Sequence, residues 1–152
     1  MVRQLIYTSR VAPDLQDEDA LLRSILEVSV RNNAAVAVTG MLLRHKNHFI
    51  QALEGPACAV ELIYRKVRRD PRHHELVLLQ DATRQRRSFA AWSMCGYNLG
   101  PADNEILDVL ALRRGFDPQQ ISGAAALTLL TTVHAIQQRV TSKARSPVLI
   151  EA

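Results

Sequence analysis

Gln51 stands in the stretch HFIQALEG, residues 48–55, where Phe49, Gln51 and Leu53 fall on one face of a strand and Ile50 and Ala52 on the other. A primary amide between two large apolar side chains costs roughly 1–3 kcal/mol unless its donors and its acceptor are paired. A partner is therefore expected. Tyr7, in RQLIYTS, shares parity with Leu5, so its phenol also points into a layer between sheet and helices. A core tyrosine with a locally bonded hydroxyl is its simplest role. Asn32 and Asn33 close an amphipathic helix in SVRNNAAVAVTG, where asparagine commonly serves as a cap. Brought together, one phenol and three amides match the carbonyls and ring nitrogens of a flat heteroaromatic ligand, whose faces two apolar helix stripes would clamp.

The elements that must position these groups follow from periodicity. Residues 3–9 alternate as a first strand, and APDLQDEDA supplies a turn with N-cap candidates and early acidic residues. The next helix has its stripe at Leu22, Ile25, Leu26 and Ser29 and ends near Asn32 and Asn33. Strands at 36–44 and 48–54 meet at HKN, where Asn47 is expected to be left-handed. A second helix, in GPACAVELIYRKVRRDP, opens at a proline, stops at Pro71 and aligns Val60, Ile63, Tyr64 and Val67. Strands at 75–82 and 92–98 complete βαββαββ, for which the α+β, ferredoxin-like sandwich is the expected fold. VAVTGMLL is apolar at both parities, so the second sheet face also needs cover. PADNEILDVLALRRG and DPQQISGAAALTLLTTVHAIQQRV read as the two helices that provide it. The expected division is 1–98 for the sandwich, 99–140 for the helical extension and 141–152 for a flexible tail.

At 152 residues the chain suits one well-cored domain. No apolar run approaches the ~18 residues of a membrane span, and the N-terminus does not read as a secretory signal, so a cytoplasmic location is expected. The net charge of +4 comes from scattered Lys and Arg without interleaved aromatics, which argues against specific nucleic-acid binding. Cys58 and Cys95 lack metal-ligand spacing and read as free thiols. His45, His48, His73 and His74 make no metal set, because adjacent residues of a strand point to opposite faces. No glycine-rich phosphate loop or nucleophilic triad stands out, so the chain does not read as an enzyme. The roughly fifty residues after position 100 are few for a catalytic domain, and output should pass through a partner or through self-assembly. The apolar excess of AAALTLLTTVHAI points to a homo-oligomer.

LIYTSR, RNNAAVAVTGMLL, HFIQALEGP, VELIYRKVRRDPRHHELVLL and RRSFAAWSM, in this order over residues 3–98, resemble the blue-light-sensing flavin domain known as BLUF. The resemblance implies FAD or FMN, held non-covalently between the two helices. Tyr7 then matches the photoactive tyrosine, and Gln51 the glutamine between that phenol and the flavin. Asn33 matches the asparagine on the ring's carbonyl edge, with Asn32 beside it. Lys66, Asp70 and Arg72 match polar groups near that edge, Ile25 and Val67 the apolar clamps, and Trp92 and Met94 the strand residues associated with signalling to a downstream protein. Three departures stand out: Ala37 where relatives often have glycine, Arg44 where many have an aromatic, and a hairpin without glycine. The competing reading is a flavin-free, ferredoxin-like interaction module, in which the asparagines only cap and Gln51 is merely networked.

Overall fold

The computed structural model describes residues 1–11, 18–89, 95–99 and 120–144. The chain runs β1 (Val2–Val11), α1 (Glu18–Ala34), β2 (Thr39–His45), β3 (His48–Gly55), α2 (Ala57–Arg69), β4 (His73–Arg84), β5 (Cys95–Leu99) and α3 (Gly123–Ala144). The sheet order is β4-β1-β3-β2-β5; every pairing is antiparallel except that of β5 with β2. This is the expected ferredoxin-like α+β sandwich with a fifth strand added beside β2.

Each central strand divides its side chains between two cores. On the inner face Leu5, Tyr7, Leu42, Phe49 and Leu53 pack under Ile25 of α1 and Val60, Ile63 and Tyr64 of α2. On the outer face Ile6, Met41, Leu43, Ile50 and Ala52 meet Phe89 and the α3 residues Ala126, Leu129, Leu130 and Val133. Each of the larger aliphatic and Phe side chains contributes roughly 1.5–3 kcal/mol when fully buried, so the second face needs its cover as the first does. Gly123 sets the start of that cover: a Cβ there would come within 2.8 Å of the Leu79 carbonyl and of Gln80 Cβ. The other expected covering helix, in 101–115, lies outside the described residues. α3 continues to Ala144, beyond the expected start of the tail at 141. Thr141–Ala144 contains no helix breaker, and the first proline comes only at position 147.

Two local expectations are corrected. β2 begins at Thr39, because residues 35–38 complete the helix end: the Asn33 carbonyl accepts the Val36 and Val38 amides at 3.1 and 2.9 Å. Within that turn Ala37 is left-handed, with φ 57°. In the hairpin the left-handed residue is Lys46 (φ 51°), not Asn47. The Asn47 carbonyl is held by the Val11 amide at 2.7 Å, and Arg44 Nε donates to the Lys46 carbonyl at 3.1 Å. Arg44 is buried and its guanidinium lies 5.8 Å from the Phe49 ring centre, a cation–π contact at the position noted above as a departure from the family pattern.

A left-handed alanine carries roughly 1–2 kcal/mol of steric cost. Glycine would remove that cost while adding about 0.5–1 kcal/mol of unfolded-chain entropy. Ala37→Gly should therefore stabilise the chain by about 0.5 kcal/mol, seen as a higher urea midpoint at unchanged slope; a lower midpoint would contradict the strain.

Candidate functional site

Tyr7 and Gln51 lie directly opposite one another in the β1–β3 register, both facing the inner core. The phenolic hydroxyl donates to Gln51 Oε1, so each group is the buried partner that the other's position demanded. Tyr7 is fully buried, and burial pushes its phenol well above the usual range, helped by the negative potentials of Tyr64 and Asp70. The proton therefore stays on the phenol at any physiological pH. Tyr64 of α2 packs on Tyr7 with ring centres 5.4 Å apart at a 58° tilt. Ile25 belongs to the same core, and Val67 packs against it.

Asn33 supplies the decisive polar atom. Its side chain is buried, and Nδ2 finds no hydrogen-bond partner among the described residues. A native fold leaves few such amide donors unmet, and the cost of roughly 1–3 kcal/mol disappears if a ligand acceptor meets it. The Asn33 backbone does serve the helix end, but the left-handed capping position falls on Ala37 instead. Asn32, next in the helix, is half-buried. A buried phenol–amide pair, apolar walls from two helices and an unmet amide donor on the inner face fit a flat ring that carries carbonyl acceptors.

The remaining expected site residues are spread along the end of α2. Asp70 and Arg72 form a 2.6 Å ion pair, and Arg72 Nη1 donates to Ser24 Oγ at 3.1 Å, tying this end to α1. Burial would raise the Asp70 carboxyl, but hydrogen bonds from the Arg72 guanidinium and amide hold it below the usual carboxylate range. Lys66 is exposed. Trp92 and Met94 lie outside the described residues.

Several further polar residues matter that local sequence pattern does not single out. Glu54 shares parity with Ile50 and Ala52, and a carboxylate on a covered face was the available signal. It is completely buried and accepts from Gln4 Nε2 (3.1 Å), the Ser88 amide (2.9 Å) and the Phe89 amide (2.8 Å). Arg87 donates to the Ala37 carbonyl (2.7 Å), Thr39 Oγ1 (2.8 Å) and the Glu54 carbonyl (3.1 Å). Phe89 then meets His134 of α3 edge-on at 5.4 Å. His73 is buried beside Phe49 and shares a 2.8 Å hydrogen bond with Ser9 Oγ, whereas His74 is exposed. Burial lowers the His73 imidazole to about 4.

The fold and site define a ferredoxin-like sandwich with a buried phenol–amide pair beneath two helices. The family profile described as BLUF, sensors of blue-light using FAD, matches residues 2–95, and the chain belongs to that family. It is a blue-light sensor that binds its flavin non-covalently. It is 39% identical over 88 residues to the blue light- and temperature-regulated antirepressor BluF of Escherichia coli K12, covering 57% of this chain and 21% of that protein. The solved structure titled "BlrB - a BLUF protein, dark state structure" superposes with a TM-score of 0.71 at 29% identity, covering 90% of this chain and 96% of that one. "BlsA photo-activated state" superposes at 0.77 with 25% identity, covering 87% and 94%. The chain spans about a tenth to a fifth of the length of the first curated relatives it matches, a photoactivated adenylate cyclase subunit of Euglena longa and the antirepressor. No helix among the described residues is long and apolar enough to cross a membrane.

The depressed His73 imidazole makes the fold acid-sensitive. Below the unfolded value of 6.5 the unfolded chain binds a proton that the folded chain refuses until about pH 4, so stability falls as pH falls through this window. Between pH 7 and pH 5 the His73 share should be about 2 kcal/mol. Urea titrations across this range should show that share missing in His73→Phe, while His45 and His134, also lowered by burial, keep theirs. An unchanged slope in the variant would contradict the assignment.

Proposed function

We propose that Tyr7 and Gln51 are the photochemical pair of this sensor and that Asn33 holds the carbonyl edge of its flavin, FAD or FMN. The observation that carries this reading is the buried Tyr7–Gln51 hydrogen bond beside an unmet Asn33 donor. The bound flavin supplies a one-electron acceptor that blue light switches on. Ile25 and Val67 exclude water from its faces, Asn32 flanks Asn33, and Lys66, Asp70 and Arg72 line the polar rim. Tyr7 Oη holds its proton in the dark, because burial disfavours the phenolate. Once the Tyr7 phenol has given up an electron to that acceptor, its proton would move along the existing hydrogen bond to Gln51 Oε1. An amide carries both a donor and an acceptor end, so Gln51 can finish rotated or tautomerised with its donor presented elsewhere.

One changed hydrogen bond is worth about 0.5–1.5 kcal/mol net, and more in a low-dielectric core. That suffices to bias an element already near balance. Glu54 lies three residues beyond Gln51 on β3 and grips the loop at 85–89, whose Phe89 packs on α3. This loop leads into the segment with Trp92 and Met94. We infer that the signal reaches α3 along this route and leaves by contact with a downstream protein or a second copy of the chain.

Gln51→Leu should retain flavin and lose the reversible red shift that blue light produces in the wild-type absorption spectrum; a normal shift in the variant would sink the assignment. Hydrogen exchange in the dark and under blue light should differ between residues 90 and 140. Identical protection there would reject the proposed route while leaving the photochemistry intact.

A further inference from the structure

The last turns of α2 carry Arg65, Arg68 and Arg69, at i, i+3 and i+4 on one helical face. Together they line a cavity of about 390 Å³. Arg65 has an acidic partner, Glu61 at 3.2 Å, but Glu61 is shared with Arg3 at 2.8 Å. Neither Arg68 nor Arg69 is ion-paired among the described residues.

The helix dipole accounts for cations in the last turn. Glu61, one turn back, accounts for Arg65, but among the described residues no carboxylate answers Arg68 or Arg69, and Arg65 and Arg69, four residues apart, oppose each other by a few tenths of a kcal/mol. The face holds more positive charge than the helix needs. Its concavity falls in the range of roughly 300–1,000 Å³ that small-molecule sites occupy, and planar guanidinium forks match phosphate oxygens two at a time.

We propose that this cavity is a recognition site for a small phosphate-bearing anion. The same chemistry has two sources, the phosphate of the bound flavin or a separate nucleotide. The site also has a line to the photochemical pair. The Arg68 guanidinium lies 5.9 Å from the Tyr64 ring centre, and Tyr64 packs on Tyr7. An anion over Arg68 cancels positive potential near the phenol and eases removal of its electron. This consequence rests on the photochemical reading of Tyr7; the binding itself does not.

Calorimetric titration of inorganic pyrophosphate into the chain as purified, and into the chain loaded with riboflavin or with FMN, tests the proposal. Riboflavin-loaded protein should bind pyrophosphate, the double variant Arg68→Gln/Arg69→Gln should weaken that binding by about tenfold or more, and Arg31→Gln, an exposed change on α1, should not alter it. Binding kept after FMN loading identifies a separate anion, and binding lost only with FMN identifies the flavin's own phosphate. Absence of binding to the riboflavin-loaded protein, or equal weakening by Arg31→Gln, would overturn the proposal. If the chain takes up no flavin, the photoreceptor reading fails on its own, and pyrophosphate binding by the chain as purified still decides the site.

Discussion

A phenol and a carboxamide can share an apolar layer only if they satisfy each other, and here one hydrogen bond between adjacent strands accomplishes this. Tyr7 and Gln51 meet because β1 and β3 pair at that register. A slip of one residue would turn Tyr7 to the outer face, strand the amide and misplace every apolar neighbour. Register is therefore chemical as well as structural here. The short Lys46–Asn47 turn fixes β3 against β2, and the Val11 amide on the Asn47 carbonyl locks the far end of β1 to the same turn. On the other side of β1, β4 accommodates irregularities near Tyr7 and Ser9 without disturbing the β1–β3 pairing.

The two faces of the sheet are joined at one corner. Asn33, on the inner face, orders the turn at 35–38 through its carbonyl; the Ala37 carbonyl of that turn receives Arg87; and the neighbouring Ser88 and Phe89 amides are fastened to the Glu54 carboxylate. Phe89 then hands over to α3 on the outer face. Each link is a hydrogen bond or a packed ring, so a displacement at either end is felt as a changed distance at the other rather than absorbed in loose side chains.

How much of this could be read from the chain depends on the kind of signal. Alternation and helical stripes located the sandwich, and the buried stripe of Val60, Ile63 and Tyr64 falls where it was expected. Polar residues at apolar strand parities singled out Tyr7 and Gln51, and a pair of asparagines at a helix end singled out Asn33; all three are buried. Glu54 carries the same signal, but its partners include backbone amides some thirty residues away that no local pattern reveals. The left-handed residue of the hairpin is Lys46 and not the expected Asn47. Asparagine favours that conformation, but a tertiary hydrogen bond to Asn47 shifted it to Lys46. Arg44 in a core was equally hidden, since its burial depends on the Phe49 ring across the hairpin.

α3 conceals its polarity. Thr128, Thr131 and Thr132 each spend their hydroxyl on a carbonyl one turn back, at 3.0, 2.8 and 2.7 Å. Ala135 and Ile136 extend the accessible surface beyond them. Between Thr128 and Thr132 every hydroxyl is thus already bonded to the helix itself. This stretch can exchange water for another hydrocarbon surface, and back again, without stranding one of these three donors, so the solvation toll for changing neighbours there is small in both directions.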